Sequence, residues 1–174
     1  MRFTKTILAT GLLAGLSACA PMTPRMDVPS AVQAPTGQKA AMTWTGTGLL
    51  TYECRPKADN AMMFEWAFAG PEAKLADAKS MAAMGRYYAG PTWEANDGSK
   101  ITGKQVAVAP AAAGNIPFQL VKAEGGSGAM RDVTYIQRVN TKGGVAPTMT
   151  CDAASRGTKT TVPYSADYVF YKAG

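Results

Sequence analysis

The sequence predicts a single, mainly β domain, built as a β-sandwich or a small barrel with one short helix and one disulfide. The 174 residues suit one domain, and 47% of them are hydrophobic, which is enough for a core. After residue 42, apolar and polar side chains mostly alternate with a period of two, as they do in half-buried strands. The 18 glycines and 11 prolines break this pattern into short segments, which is typical of sandwiches and barrels.

The first strands are predicted at 48–54 and 62–68. In the first of these, Leu50, Tyr52 and Cys54 share one face. In the second, Met63, Glu65 and Ala67 alternate with a row of large apolar side chains. That row consists of Met62, Phe64, Trp66 and Phe68. Both patterns indicate strands with one buried face.

The segment from Pro71 to Met84 is predicted to be the one short helix. Pro71 suits the first turn of a helix because its missing N–H is not needed there. Glu72 would lie near the positive end of the helix dipole.

Five further strands complete the predicted domain. Two of them, from about Tyr87 to Ala95 and from Lys100 to Ala109, flank a turn at Asn96–Ser99. Gly90-Pro91 interrupts the first of the pair, which indicates a sheet edge or a bulge. The others are predicted at 116–123, 132–139 and 162–171.

The first residues have the pattern of a secretory signal. Arg2 and Lys5 precede an apolar stretch at 7–16, which is too short to span a bilayer. The stretch ends in Leu16-Ser17-Ala18-Cys19, which resembles the bacterial lipoprotein box. We therefore predict a signal peptide over 1–18 and a lipidated Cys19. An ordinary signal peptide, with Cys19 as a spare thiol, is the alternative.

A tether is predicted to follow, over residues 19–41. Ala20 rather than Asp after the cysteine favours the outer membrane, by the same resemblance. Four prolines in the segment, at 21, 24, 29 and 35, oppose both a helix and a paired strand, so it reads as a semi-extended linker. The β domain then occupies 42–174.

The cysteine count predicts one disulfide. With Cys19 assigned to lipid, Cys54 and Cys151 remain, and an even number of cysteines in an oxidising compartment indicates a bridge between them. Two buried free thiols are the alternative. A catalytic thiol is not supported, because no histidine is available to activate one.

Charge and the absence of histidine exclude several functions. A chain without histidine cannot build a Ser-His-Asp triad or a His-ligated metal site. Removal of 1–18 takes away Arg2 and Lys5 and no acid, so 16 basic and 12 acidic residues remain, a net charge of +4. The basic residues are scattered among acids, and a nucleic-acid partner is not expected. The ten methionines suit Cu(I), but we interpret them as core fillers and predict no metal and no cofactor.

Several motifs in order resemble an uncharacterised family of secreted bacterial and fungal proteins, known only as a domain of unknown function. The motifs lie at about 42–172 and include Gly46-x-Gly48 with Tyr52-x-Cys54, Ala89-Gly90-Pro91-Thr92-Trp93-Glu94, Ile136-Gln137-Arg138-Val139-Asn140-Thr141 and Val162-Pro163-Tyr164-Ser165-Ala166-Asp167-Tyr168. The resemblance implies a mainly β extracytoplasmic domain, a 54–151 bridge and no settled activity. This chain has Tyr87 where the family usually has a histidine, which favours a non-enzymatic role.

The first candidate site combines Trp93, Glu94 and Asp97. Two carboxylates beside a tryptophan could supply the acid and base for cleaving a sugar bond. The alternative is a hairpin, in which Asp97-Gly98 forms the turn and Trp93 caps the core.

The second candidate site is the segment 137–144. Arg138 and Lys142, beside exposed backbone amides, could hold an anion. An ion pair between Arg138 and an acid across the sheet is the alternative. Together with Tyr87 and Trp93, these residues are the predicted binding set, an aromatic and mildly basic face.

We therefore expect a lipid-anchored, extracytoplasmic binding or structural module of the bacterial envelope. Its expected partners are the membrane, through the lipid, and an envelope glycan or protein. The alternative is an envelope hydrolase acting on a glycan through Glu94 and Asp97.

Overall fold

The computed structural model describes residues 28–174, which close into an eight-stranded antiparallel barrel. Each strand pairs with the next along the chain, and the first also pairs with the last. The strands are β1 Gln38–Pro56, β2 Phe64–Asp77, β3 Ala83–Tyr88, β4 Thr92–Ala95, β5 Lys100–Ala109, β6 Phe118–Glu124, β7 Val133–Gly143 and β8 Lys159–Ala173. The predicted mainly β class is confirmed.

The helix predicted from Pro71 to Met84 is wrong. The segment forms the second half of β2, a turn and the start of β3. Ala73 and Leu75 are buried while Glu72 and Lys74 are exposed, which is the period-two alternation of a strand. Pairing with β1 on one side and β3 on the other outweighs the helix propensity of the alanines. The helices in the described part of the chain are two single 3-10 turns, Ser30–Val32 and Gly128–Met130.

The predicted strand from Tyr87 to Ala95 is divided at the point where the sequence indicated an interruption. Residues 89–91 form a tight turn, so the segment becomes the end of β3 and the whole of β4. The prediction for Lys100–Ala109 is confirmed as β5, and the three later strands are present with shifted ends. The turn at Asn96–Ser99 joins β4 to β5, as predicted.

Aromatic rings fill the barrel interior. Trp93 stacks on Tyr87, with ring centroids 4.7 Å apart, and meets the edge of Tyr168 at 5.6 Å. Trp44 packs on Phe170 at 4.8 Å. These five side chains are all at least 94% buried, so the middle of the barrel is a packed core.

The motif Gly46-x-Gly48 makes room for this core. A Cβ atom on Gly46 would lie 2.7 Å from the Tyr168 ring, and one on Gly48 would collide with the Glu72 carbonyl on β2. Both glycines therefore permit the close approach of β1 to its neighbours.

The predicted tether ends before residue 41, and below we use the term β domain for residues 28–174. β1 begins at Gln38, where it pairs with Ala173 at the end of β8. Val32 is fully buried against Ala109 and Leu120 on the outer face of the barrel, and the Gln137 amide donates to the Val32 carbonyl at 2.7 Å. The prolines do not prevent this packing, because the segment reaches β1 as an irregular strap. The predicted signal peptide, Cys19 and residues 20–27 lie outside the described residues.

The predicted bridge between Cys54 and Cys151 is confirmed. It joins the end of β1 to the long loop between β7 and β8, and the Cα atoms lie 5.5 Å apart. The strands β1, β3, β5 and β7 all finish at this end of the barrel, which we call the disulfide end.

We expect removal of the bridge to lower the free energy of unfolding by about 2–5 kcal/mol, because the bond closes a loop of 97 residues in the unfolded chain. The variant is the double change Cys54→Ser with Cys151→Ser, measured by urea denaturation. Wild-type protein under reducing conditions is the control and should behave like the variant. An unchanged midpoint in both would contradict the prediction.

Candidate functional site

The disulfide end of the barrel opens into a cavity of about 430 Å³. We call it the cup and define it by the side chains used below, which come from five strands across the barrel: Phe68, Tyr87, Gln105, Gln119, Val121 and Arg138. It lies above the packed aromatic core.

Strand alternation explains why these side chains meet. Arg138 lies two residues after Ile136, which is fully buried in the core, and so shares its inward face. Gln119 likewise lies two residues before the buried Val121. The Gln119 amide donates to the Gln105 side chain of β5 at 2.5 Å, which links neighbouring walls of the cup.

Arg138 has no acidic partner among the described residues. Its Nε and Nη2 atoms both donate to the Pro117 carbonyl, at 3.2 and 2.9 Å. The residues opposite it on the neighbouring strands are Gln119 and Tyr168, neither of which carries a charge. The ion pair across the sheet, left open by the sequence, is therefore absent from this part of the chain, and no acid of residues 28–174 neutralises the guanidinium charge.

Four tyrosines surround the positive charge of Arg138. They are Tyr52, Tyr87, Tyr164 and Tyr168. Burial raises the pKa of each hydroxyl, and the Arg138 charge is close enough to act in the opposite direction on all four. With the pKa of each raised above its ordinary value, the hydroxyls stay neutral at physiological pH and leave the charge uncompensated.

The hydroxyls differ in their partners. Tyr52 donates to the Gly144 carbonyl at 2.6 Å, and the Tyr164 and Tyr168 hydroxyl oxygens lie 3.1 Å apart. Burial and the neighbouring Tyr164 raise the pKa of Tyr87, while no hydrogen bond contributes to it. Tyr87 is also the one of the four that lines the cup, so its hydroxyl can donate a hydrogen bond there.

The structure brings together two of the four predicted binding residues. Tyr87 and Arg138 both line the cup. Trp93 supports the Tyr87 ring from below but is only 1% exposed, so it cannot touch a ligand in the cup. Lys142 is exposed near the end of β7 and lies outside the cup lining.

Glu94 and Asp97 are each occupied by local contacts. Glu94 accepts a hydrogen bond from the Tyr88 hydroxyl at 2.7 Å and forms ion pairs with Arg86 and Lys100 at 3.1 and 3.3 Å. These contacts, the Tyr88 hydroxyl first, lower the pKa of Glu94. Asp97 accepts from the Ser99 backbone in the β4–β5 turn at 2.8 Å, which lowers its pKa. Neither carboxyl has the raised pKa that a general acid requires.

Gln105, Gln119 and Phe68 were not among the predicted site residues. Gln119 occupies an inward position of β6, and Gln105 stands opposite Val121 of the same strand. Phe68 projects at the lip with 54% of its surface exposed. The sequence does carry a signal for Gln119, because this polar residue occupies a position at which the alternation of the strand predicts an inward, apolar side chain. The β5 bulge after Gln105 hides the corresponding signal there.

Comparison with known protein families shows which family the chain belongs to. Residues 35–172 match the family described as protein of unknown function (DUF3455). The chain belongs to this family. The match spans all eight strands apart from Ala173, the last residue of β8, and so the barrel and its cup are contained in the family domain.

No curated protein and no solved structure matches the chain. Among the described residues, no group of acids and cysteines is arranged to hold a metal ion. None of the helices in the same residues is long and apolar enough to cross a membrane.

We expect Glu94→Gln to destabilise the protein more at about pH 7 than at about pH 3. The pKa of Glu94 is lowered in the folded state, so the carboxylate stabilises the fold above its ordinary value of 4.5, and this stabilisation is lost as the pH falls through the folded value. Urea midpoints of variant and wild type at the two pH values measure the effect. Glu72→Gln, at an exposed position of β2, is the control and should show no such convergence. An equal deficit at both pH values would contradict the prediction.

Proposed function

We propose that this protein is a lipid-anchored binding module of the bacterial envelope and that it takes a small ligand in the cup. The observation that carries the proposal is the cup itself, an open cavity in which Arg138, Gln119 and Tyr87 converge above an otherwise apolar interior. Cavities of this size with a few convergent polar groups are the usual form of small-molecule sites.

The walls of the cup are held in place by contacts that leave its interior open to a ligand. Arg138 is anchored to the Pro117 carbonyl, and Gln119 to Gln105. Tyr87 cannot tilt freely because Trp93 and Tyr168 pack against its ring. A site built on strands and fixed from behind in this way is preorganised, which reduces the entropy lost on binding.

A larger groove of about 830 Å³ crosses the outer face of β1, β2 and β3. Its charged lining residues Glu72, Lys74 and Arg86 are exposed. It resembles a solvated sheet surface more than a ligand site, and we prefer the cup for this reason.

The lipoprotein pattern at 1–19 supports the anchor, and the Cys54–Cys151 bridge supports an oxidising compartment. Ala20 after the cysteine supports the outer membrane over the inner one. A hydrolase acting through Glu94 and Asp97 has no comparable support, because both carboxyls are committed to local contacts and have lowered pKa values.

We expect Cys19→Ser to release the protein from membranes, because the change removes the atom that would carry the lipid. Fractionation of cells that express the full chain, followed by immunoblotting, measures the effect. Ala20→Asp is the matched control and should keep the protein in the membrane but move it from the outer to the inner fraction. Unchanged membrane retention of Cys19→Ser would refute the anchor.

We expect small polar fragments to bind in the cup before they bind elsewhere. Backbone amide spectra of the ¹⁵N-labelled β domain report this directly, because Gly70, Gly90 and Gly103 line the cup and glycine amides are well separated from other residues. Gly98 and Gly125, in turns at the opposite end of the barrel, are the internal controls. Shifts concentrated on the groove at β1–β3 would place the site there instead.

A further inference from the structure

The charged side chains that line the cup are all positive. Among the described residues that line it are Arg138 and Lys104, and no aspartate or glutamate is among them. Glu94, on β4, pairs with Arg86 and Lys100 on the outside of the barrel. An unbalanced guanidinium inside a cavity attracts a negative group from solution.

The hydrogen bonds of Arg138 leave its outer edge free. A guanidinium has five N–H donors in a planar fork. Nε and one donor of Nη2 are directed at the single Pro117 carbonyl, which anchors that edge of the fork. The remaining edge, formed by Nη1 and the other donor of Nη2, is the one that binds the two oxygens of a carboxylate or phosphate.

Tyr87 and Phe68 add a hydrogen-bond donor and an apolar surface to the cup. The Tyr87 hydroxyl is a neutral donor at the cup, suited to an anionic oxygen. Phe68 packs against the Tyr52 ring, with centroids 5.9 Å apart, and leaves half of its own surface exposed at the lip. The lip therefore offers an apolar surface beside the charged wall.

From these contacts we infer that the ligand of the cup carries a carboxylate or phosphate group, which binds the free edge of Arg138 and the Tyr87 hydroxyl, with an apolar or flat portion against Phe68. This inference rests on the proposed function, because it names the class of ligand for the same cavity. A purely structural role for Arg138 would be satisfied by the Pro117 carbonyl alone and would require no preference for anions.

The test compares benzoate with benzamide, which has nearly the same shape and no charge. Phenyl phosphate and inorganic phosphate are the other probes, and they show which anion the cup prefers and whether it needs the ring. Amide shifts of Gly70, Gly90 and Gly103 are followed during each titration of the β domain. We expect saturable shifts with benzoate or phenyl phosphate and at least about tenfold weaker binding of benzamide, because a charge-assisted bidentate contact is worth that much or more.

Arg138→Gln should weaken binding of the anionic probe by at least about tenfold. Arg131→Gln removes the same charge from an exposed site at the opposite end of the barrel, and it should leave the affinity within about twofold of wild type. Arg138→Lys keeps the charge but not the fork, so we expect an intermediate affinity with the preference for anions retained. This variant keeps the test decisive if Arg138→Gln does not fold.

Two results would overturn the inference. Equal affinity for benzoate and benzamide, with shifts still confined to the cup glycines, would show a ligand site for neutral molecules and leave the proposed function intact. No saturable shift with any of the three anions, at up to about 50 mM, would show that Arg138 has only a structural role, since a Kd of about 50 mM would already give half-saturation at that concentration.

Discussion

The packing of Trp93 between Tyr87 and Tyr168 is the contact on which the rest of the barrel depends. These rings come from β3, β4 and β8, so they join the shortest strands to the longest hydrogen-bonded pair, β1 with β8. The same stack forms the support under the cup, because Tyr87 packs on Trp93 and also lines the cavity. The core and the candidate site therefore share Tyr87 and depend on the same aromatic packing. A change that loosens the stack would move the Tyr87 hydroxyl relative to Arg138.

Two devices at the surface protect this interior. The strap around Val32 covers the outer apolar faces of β5 and β6, and the bridge at Cys54 ties the long β7–β8 loop to the end of β1. Closure of the sheet leaves no free edge among the described strands.

Local alternation was sufficient to predict most of the fold. The strands at Lys100–Ala109 and around 162–171, and the bridge between Cys54 and Cys151, follow from period-two patterns and cysteine parity. The helix predicted from Pro71 was wrong, because the alanines and the first-turn proline favour a helix locally and pairing with two neighbouring strands overrides that preference. The predicted tether was longer than the real one for a related reason. Burial of Val32 against Leu120 joins segments far apart in the chain, and local sequence patterns do not show such contacts.

The sequence by itself determined the class of the domain, its bridge, and the absence of any chemistry that requires histidine. It also identified Tyr87 and Arg138 as residues that could bind a ligand. Only the tertiary structure decided which of the candidates act together, because Tyr87 and Arg138 are 51 positions apart and meet only when the sheet closes. Closure likewise buried Trp93 and left Lys142 outside, while the hairpin register of β3, β4 and β5 placed Glu94 opposite Arg86 and Lys100. Strand alternation sets the face of each side chain, but barrel closure decides what lies opposite.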